Sequence, residues 1–312
     1  MLTTTDTIVK VGKCASTGED ISLSYDTFGN SKDPCLLLVV GLAGVGRVWR
    51  DAFCEMIAKK GFYVVRYDNR DVGLSTHLDN QPTPNVMQCL LPQFLSFLRK
   101  VPYTLEDMAA DGMNLLTALG IERAHVVGSS MGGMIAQIMA IKYPSRVRSL
   151  GIIYSHTGSS KRVPETFSTK LLFMKKPKSS ALEDVVDFKC ALARHFRGPG
   201  YNVDEEEFRK LAKEQLERAN DYPQGMLRQL AAILSAKSRE ECLKTITIPT
   251  LIIHGMLDEV VPYQNGLQIA EAVGPAAKLV IYPRMGHEIP VELMPSISQE
   301  IADNCGRELT LA

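Results

Sequence analysis

The sequence predicts an α/β protein: one large, mostly parallel sheet flanked by helices, with a helical insertion before the last two strands. Three observations carry this. Strand-like and helix-like patterns alternate along most of the chain. Runs such as Cys35 to Val40 are apolar throughout, as expected of strands covered on both faces. Another apolar run, Ala124 to Val127, passes straight into a helical pattern through Gly128-Ser129-Ser130-Met131-Gly132.

Taken in order, Thr7 to Val11 and Ile21 to Phe28 alternate apolar and polar residues and suit an antiparallel edge hairpin. Cys35 to Val40 is a central strand, Trp49 to Lys60 a helix and Phe62 to Tyr67 the next strand. Leu105 to Leu119 is a helix, with Thr104 as its N-cap and Gly120 as its stop signal. Ala124 to Gly128 is a strand, and Met131 to Lys142 is a helix closed by Pro144. Val147 to Tyr154, Thr250 to His254 and Lys278 to Tyr282 complete eight strands. A last helix covers Val291 to Cys305.

Two stretches interrupt the alternation. Thr76 to Tyr103 opens with turn residues and then places Met87, Leu90, Leu91, Phe94, Leu95 and Leu98 at helical spacing. The stretch from Thr157 to Thr245 is helical in pattern with charged faces. It divides the chain into a core, 1–156 with 246–312, and a cap, 157–245, expected to sit as a lid over the carboxyl edge of the sheet. Within it, Leu171-Leu172-Phe173-Met174 precedes Lys175-Lys176-Pro177-Lys178. The plainer reading is the lid's own core beside a solvated charge run. The other is an entrance helix that meets a lipid surface.

Composition bounds the function. The chain has 312 residues, 45% hydrophobic and 22% charged, with 35 basic and 35 acidic side chains. No basic surplus points to nucleic acid or an anionic membrane. Seven scattered cysteines without a C-x-x-C pair read as free thiols of a reducing compartment. The N-terminal residues lack the basic-then-apolar order of a secretory signal, and no apolar run reaches membrane-spanning length. The expectation is a cytoplasmic monomer or small homo-oligomer without an integral membrane segment.

Chemistry concentrates at the strand-to-helix turn. A strand that turns sharply into a helix forces its turn residue into a strained conformation and needs small residues around it. Only Ser130 has glycines at minus two and plus two (Gly128 and Gly132). Centring on Ser129 would put Val127 at minus two, which is too bulky. Ser130 is therefore the candidate nucleophile. A serine hydroxyl needs a base, and the base an orienting acid. Two later strand-loop segments supply them: Asp258 after Leu251 to Gly255, and His287 after Leu279 to Tyr282 and Gly286. Glu259 is the adjacent competitor for the acid, and the one-residue offset points it away. His254, at a strand end, reads as hydrogen-bonded packing. His156 follows a strand and is a possible pocket residue, as is Gly41. The oxyanion hole needs two backbone donors. Met131 N–H, at the helix start, is one. Leu42 N–H, in the Gly41-Leu42-Ala43-Gly44-Val45-Gly46 loop, is the other. No P-loop, dinucleotide fingerprint or metal-ligand spacing occurs, so no cofactor or metal is expected.

With these residues in place the chain resembles the α/β-hydrolase fold family over essentially its whole length. The segments that carry this are Gly41 to Trp49, Arg66 to Ser75, Pro102 to Asp111, the Ser130 turn, the Asp258 loop and the Gly286-His287 pair. Arg66 to Ser75 and Tyr103 to Asp111 look most like the esterase branch that includes aclacinomycin methylesterase-like enzymes. The resemblance implies Ser130 as nucleophile, His287 as base and Asp258 as its orienter, with Asp68, Arg70 and Gly73 as scaffold. Many relatives carry His-Gly at the oxyanion loop, where this chain has Val40-Gly41. Relatives that open epoxides or haloalkanes carry aspartate in place of Ser130. The expected activity is cofactor-independent cleavage of a small or medium carboxylic ester through an acyl-serine. A monoacylglycerol-type lipid ester comes second, and thioester or amide cleavage on the same residues stays open. A binding protein that keeps the hydrolase fold is the reading from another class. The fold itself hosts many chemistries.

Overall fold

The computed structural model describes residues 6–85, 101–202, 204–219 and 221–307. The predicted apolar helix around Met87 to Leu98 lies outside them. Eight strands form one sheet: β1 (Thr7–Lys13), β2 (Asp20–Phe28), β3 (Cys35–Val39), β4 (Tyr63–Tyr67), β5 (Ala124–Ser129), β6 (Val147–Ile153), β7 (Thr250–Gly255) and β8 (Ala277–Tyr282). Their spatial order is β1-β2-β4-β3-β5-β6-β7-β8. β1 and β2 are the expected antiparallel edge hairpin, β2 runs antiparallel to β4, and every other pairing is parallel.

Helices α1 (Asp51–Ala58), α2 (Leu105–Ala118) and α3 (Met131–Lys142) follow β3, β4 and β5, and α9 (Gln264–Val273) and α10 (Met294–Cys305) close the chain. Between β6 and β7 stand α4 (Phe167–Phe173), α5 (Leu182–Arg197), α6 (Glu205–Arg218), α7 (Pro223–Ser235) and α8 (Glu240–Leu243). Successive strand residues face opposite sides, so the sheet feeds two cores. Leu37, Val39, Val126 and Ile152 pack with Met108, Leu116 and Ile135 on one face. Leu36, Leu38, Val127 and Ile253 pack with Phe53, Ile57, Ile297 and Ile301 on the other.

Local chemistry sets the boundaries. Thr104 caps α2 reciprocally: its hydroxyl accepts from Asp107 N–H at 3.2 Å, and the Asp107 carboxylate accepts from Thr104 N–H at 2.8 Å. Such a pair stabilises a helix start by about 1 kcal/mol. α1 starts at Asp51, two residues later than predicted, because Arg50 is extended (φ −53°, ψ 146°). The last helix starts at Met294, since a 3₁₀ turn occupies Val291–Leu293. Tyr154, predicted as the last residue of its strand, lies just beyond β6 at φ 39°.

The parallel register pairs Val39 with Gly128 and Gly128 with Ile152. The carboxyl ends of β3, β5 and β6 therefore meet at one edge, and β7 and β8 end beside them. The loops after these strands bring Gly41, Ser130, Ser155, Asp258 and His287 to that edge.

Candidate active site

Ser130 stands between β5 and α3 at φ 54° and ψ −120°, a conformation side chains rarely adopt. Backbone bonds hold it there. Its N–H donates to the Ile153 carbonyl at 2.9 Å, and its own carbonyl accepts from Gly133 N–H at 3.0 Å and the Ser155 hydroxyl at 2.7 Å. The flanking glycines are required by contact. A Cβ on Gly128 would strike the Gly132 carbonyl, and one on Gly132 would strike the Val39 carbonyl. The bulk argument that selected Ser130 over Ser129 thus has a steric basis.

The Ser130 hydroxyl lies 3.0 Å from His287 Nε2, and His287 Nδ1 lies 2.7 Å from Asp258 Oδ2. Asp258 Oδ1 accepts from Val260 N–H at 2.9 Å and Val261 N–H at 2.8 Å. Burial pushes the Asp258 pKa up, but the His287 charge and the hydrogen bonds from His254 and His287 outweigh it and hold the acid at about 2. Glu259 points away as expected: its carboxylate accepts from the Thr166 and Ser168 hydroxyls.

The loop after β3 reaches the same place. A Cβ on Gly41 would lie 3.1 Å from Ser130 Cβ, so the loop backbone passes close to the serine. Neither Leu42 N–H nor Met131 N–H donates to any group among the described residues. The loop is anchored from three sides. Asn69 Nδ2 donates to the Val40 carbonyl at 3.0 Å, Ala43 N–H to Gln229 Oε1 at 2.9 Å, and Gly46 N–H to Asp68 Oδ1 at 2.6 Å. Gln229 belongs to α7, so the inserted helices help to fix this loop.

Three neighbours carried no signal of this role in the sequence. The Tyr154 and Phe196 rings bracket His287, at 4.6 and 5.8 Å between centroids. The Phe196 carbonyl, at the end of α5, accepts from His287 N–H at 2.6 Å. That approach explains Gly286, whose missing Cβ would strike the same carbonyl. Arg197 then pairs with Glu288 at 2.7 Å. His254 was read as packing. Its Nε2–H donates to the Val261 carbonyl at 2.7 Å, yet the same nitrogen also lies 3.4 Å from Asp258 Oδ2. Only its spacing of four residues from Asp258 hinted at this.

His156 accepts from Gly158 N–H at 3.0 Å through Nδ1. Burial, then Arg239, Arg162 and His287, push its pKa down to about 3. His125, far from the site, is pushed down to about 4 by burial and by Arg148 and Arg123. Both lie below the ordinary 6.5. Below that pH the unfolded chain takes up protons that the folded protein refuses, so these groups make stability fall as pH drops. Asp258 works in a lower window: its contribution is present above 3.8 and is lost as pH falls toward 2. The melting temperature is therefore expected to drop between neutral pH and about pH 5, and to drop less in His125→Gln. Equal pH dependence in the two proteins would show that His125 is free to protonate in the fold.

The described cysteines are all free, and no group of His, Cys, Asp and Glu among the described residues is arranged to hold a metal ion. No helix among the described residues is long and apolar enough to cross a membrane.

A sequence model of the alpha/beta hydrolase fold matches residues 34–292. The chain belongs to that family. Among its relatives, rhodomycin D methylesterase DauP of Streptomyces sp. (strain C5) is 25% identical over 303 residues, covering 91% of this chain and 95% of the relative. 3-Oxoadipate enol-lactonase 2 of Acinetobacter baylyi is 25% identical, covering 82% and 84%. The crystal structure of an enol-lactonase from Burkholderia xenovorans LB400 superposes with a TM-score of 0.70 at 20% identity, covering 92% and 97%. The esterase resemblance read from the sequence agrees with the first of these.

Proposed function

We propose that the protein is a carboxylic ester hydrolase that works through an acyl-serine on Ser130. The observation that carries this is the continuous relay of Ser130 Oγ, His287 and Asp258 at 3.0 and 2.7 Å, on a turn that the fold holds in a strained conformation. Membership of the hydrolase family and the esterase and lactonase relatives support the ester class.

In this mechanism His287 Nε2 takes the hydroxyl proton as Ser130 Oγ bonds to the acyl carbon. The carbonyl electrons move onto oxygen, and Leu42 and Met131 N–H hold that oxyanion. Collapse expels the alcohol, which leaves with the proton from His287. Water then attacks the acyl-serine, gives its proton to the same nitrogen, and the acid departs as Ser130 recovers its hydrogen. Asp258 stays ionised and keeps the imidazole turned toward Ser130. Residues 1–156 with 246–312 act as the catalytic core and 157–245 as the cap. The cap's place beside His287, through Phe196 and Arg197, supports that division. His156, kept neutral, and Gly41 line the substrate's approach.

The test is hydrolysis of p-nitrophenyl esters of increasing acyl length, followed by labelling with a fluorophosphonate and mass spectrometry. Turnover is expected to peak at short or medium chains, with one adduct on the peptide that contains Ser130. An adduct elsewhere, or turnover that survives full labelling of Ser130, would overturn the assignment. A long-chain optimum would move the substrate to a lipid ester.

A further inference from the structure

Helix α4 leaves an unusual surface in water. Phe167 is 75% exposed, Leu171 47%, Phe173 51% and Met174 68%. Isolated exposed apolar residues are ordinary, but four within one short segment form a patch of the kind that marks an interaction surface. Helical spacing orders them: Phe167, Leu171 and Met174 stand at i, i+4 and i+7 and share a face. The opposite side carries Thr169, which is fully buried. Its hydroxyl donates to the Glu259 carbonyl at 3.0 Å and contacts the His195 ring at 2.7 Å. Thr166 N–H donates to the same carbonyl at 2.9 Å. The helix is thus fastened by its polar side, and its apolar face is turned outward.

Charge gives that face a direction. Lys170 lies within the helix, and Lys175 and Lys176 follow directly after its C-cap Met174. Arg162 before them and Lys189 beyond Lys178 have carboxylate partners. These three lysines have none within ion-pair distance among the described residues. Charges balance over the whole chain, 35 against 35, so this is a local surplus. The patch also borders the site. The Phe173 ring lies 6.2 Å from Phe196, and Phe196 lies 5.8 Å from His287.

We propose that this face of α4 docks on an anionic lipid surface. Phe167, Leu171 and Met174 enter the headgroup boundary, and Lys170, Lys175 and Lys176 pair with lipid phosphates. A second copy of the chain fits less well, because a two-fold contact would set the lysine cluster against itself. The face is a convex helix, which suits a plane better than a peptide. The inference rests on the ester-hydrolase reading only for what the protein would meet there, an ester presented at the surface beside Ser130.

The test is sedimentation of the full chain, wild type and Ser130→Ala, with phosphatidylcholine vesicles and with vesicles that also contain phosphatidylglycerol. Binding needs no turnover, so a failed ester reading leaves this result intact. Conversely, hydrolysis of a water-soluble ester reports on the site whether or not the protein docks. Both proteins are expected to bind the anionic vesicles and to be released by salt. The double variant K170E/K175E should weaken binding by about twentyfold or more, taking roughly fivefold per lysine. F167S/M174S should abolish binding while turnover of the soluble ester stays within about twofold, which also shows that the variant is folded. No binding to anionic vesicles at low salt overturns the proposal, as does binding that both variants retain. Self-association that F167S/M174S removes would overturn it in favour of a second copy.

Discussion

Ser130→Ala is expected to fold as the wild type does and to lose ester turnover by about five to six orders of magnitude. The fold should survive because the contacts that hold the turn are made by backbone. The Ser130 N–H and carbonyl keep their bonds to Ile153, Gly133 and Ser155 whatever the side chain. The strain at φ 54° falls on alanine as it falls on serine. Only the 3.0 Å contact with His287 is lost. Turnover should collapse because no other hydroxyl takes that place. Ser129 is the sequence neighbour, but it is 3% exposed and hydrogen-bonds Tyr154. The measurement is the initial rate on a short p-nitrophenyl ester beside a thermal melt, with Ser129→Ala as the control. A melt within a few degrees of wild type and a residual rate near background support the assignment. A rate above about one per cent of wild type in Ser130→Ala would sink it.

The fold and the three relay residues were legible because each rests on local pattern. Continuous apolar runs announced β3, β5 and β7, and alternation announced the edge hairpin. Glycine spacing fixed Ser130 because the contact at Gly128 and Gly132 is between residues four apart. Asp258 and His287 each follow a strand, so strand order placed them. What was not legible depends on contacts across long stretches of chain. Phe196 and Arg197 close over His287 and Glu288 from about ninety residues away in sequence, and nothing at their own positions says so. Gln229 reads as an ordinary residue of an amphipathic helix until its two bonds, to Ala43 N–H and the Arg70 carbonyl, are seen. The same limit applied to Arg66 to Ser75. The sequence marked Asp68, Arg70 and Gly73 as scaffold without saying of what. A Cβ on Gly73, at φ 60°, would strike the Asp68 carboxylate, and that carboxylate pairs with Arg218 of α6 at 2.9 Å. Arg70 is held by Asp111 of α2 at 2.6 and 2.7 Å. The segment is the seat on which the inserted helices rest.

That seat predicts the second large effect. Arg228→Met is expected to destabilise the protein by about 3–5 kcal/mol, read from the urea midpoint at unchanged slope. Arg228 of α7 is 1% exposed and Asp71 is fully buried. Two parallel bonds join them, at 2.8 and 2.9 Å. Tyr103 hydroxyl at 2.7 Å and Leu78 N–H at 2.8 Å also reach the Asp71 carboxylate. Methionine replaces much of the arginine's volume but leaves that carboxylate with two neutral donors and no counter-charge. The cost is that of an uncompensated buried charge, which exceeds the worth of any surface ion pair. The apolar core shared by α5 and α6 is small, with Val186, Cys190 and Ala212 buried in it, so it offers little to offset the loss. Turnover should fall as well, because Gln229 is the next residue of α7. A shift of that helix loosens the bond from Ala43 N–H and with it the loop that carries Leu42. Adding Asp71→Asn to Arg228→Met removes the stranded charge and is expected to recover part of the stability, while turnover stays low because α7 remains unfastened. A single variant that costs less than about 1 kcal/mol would mean that water reaches Asp71 and that the inserted helices are held elsewhere.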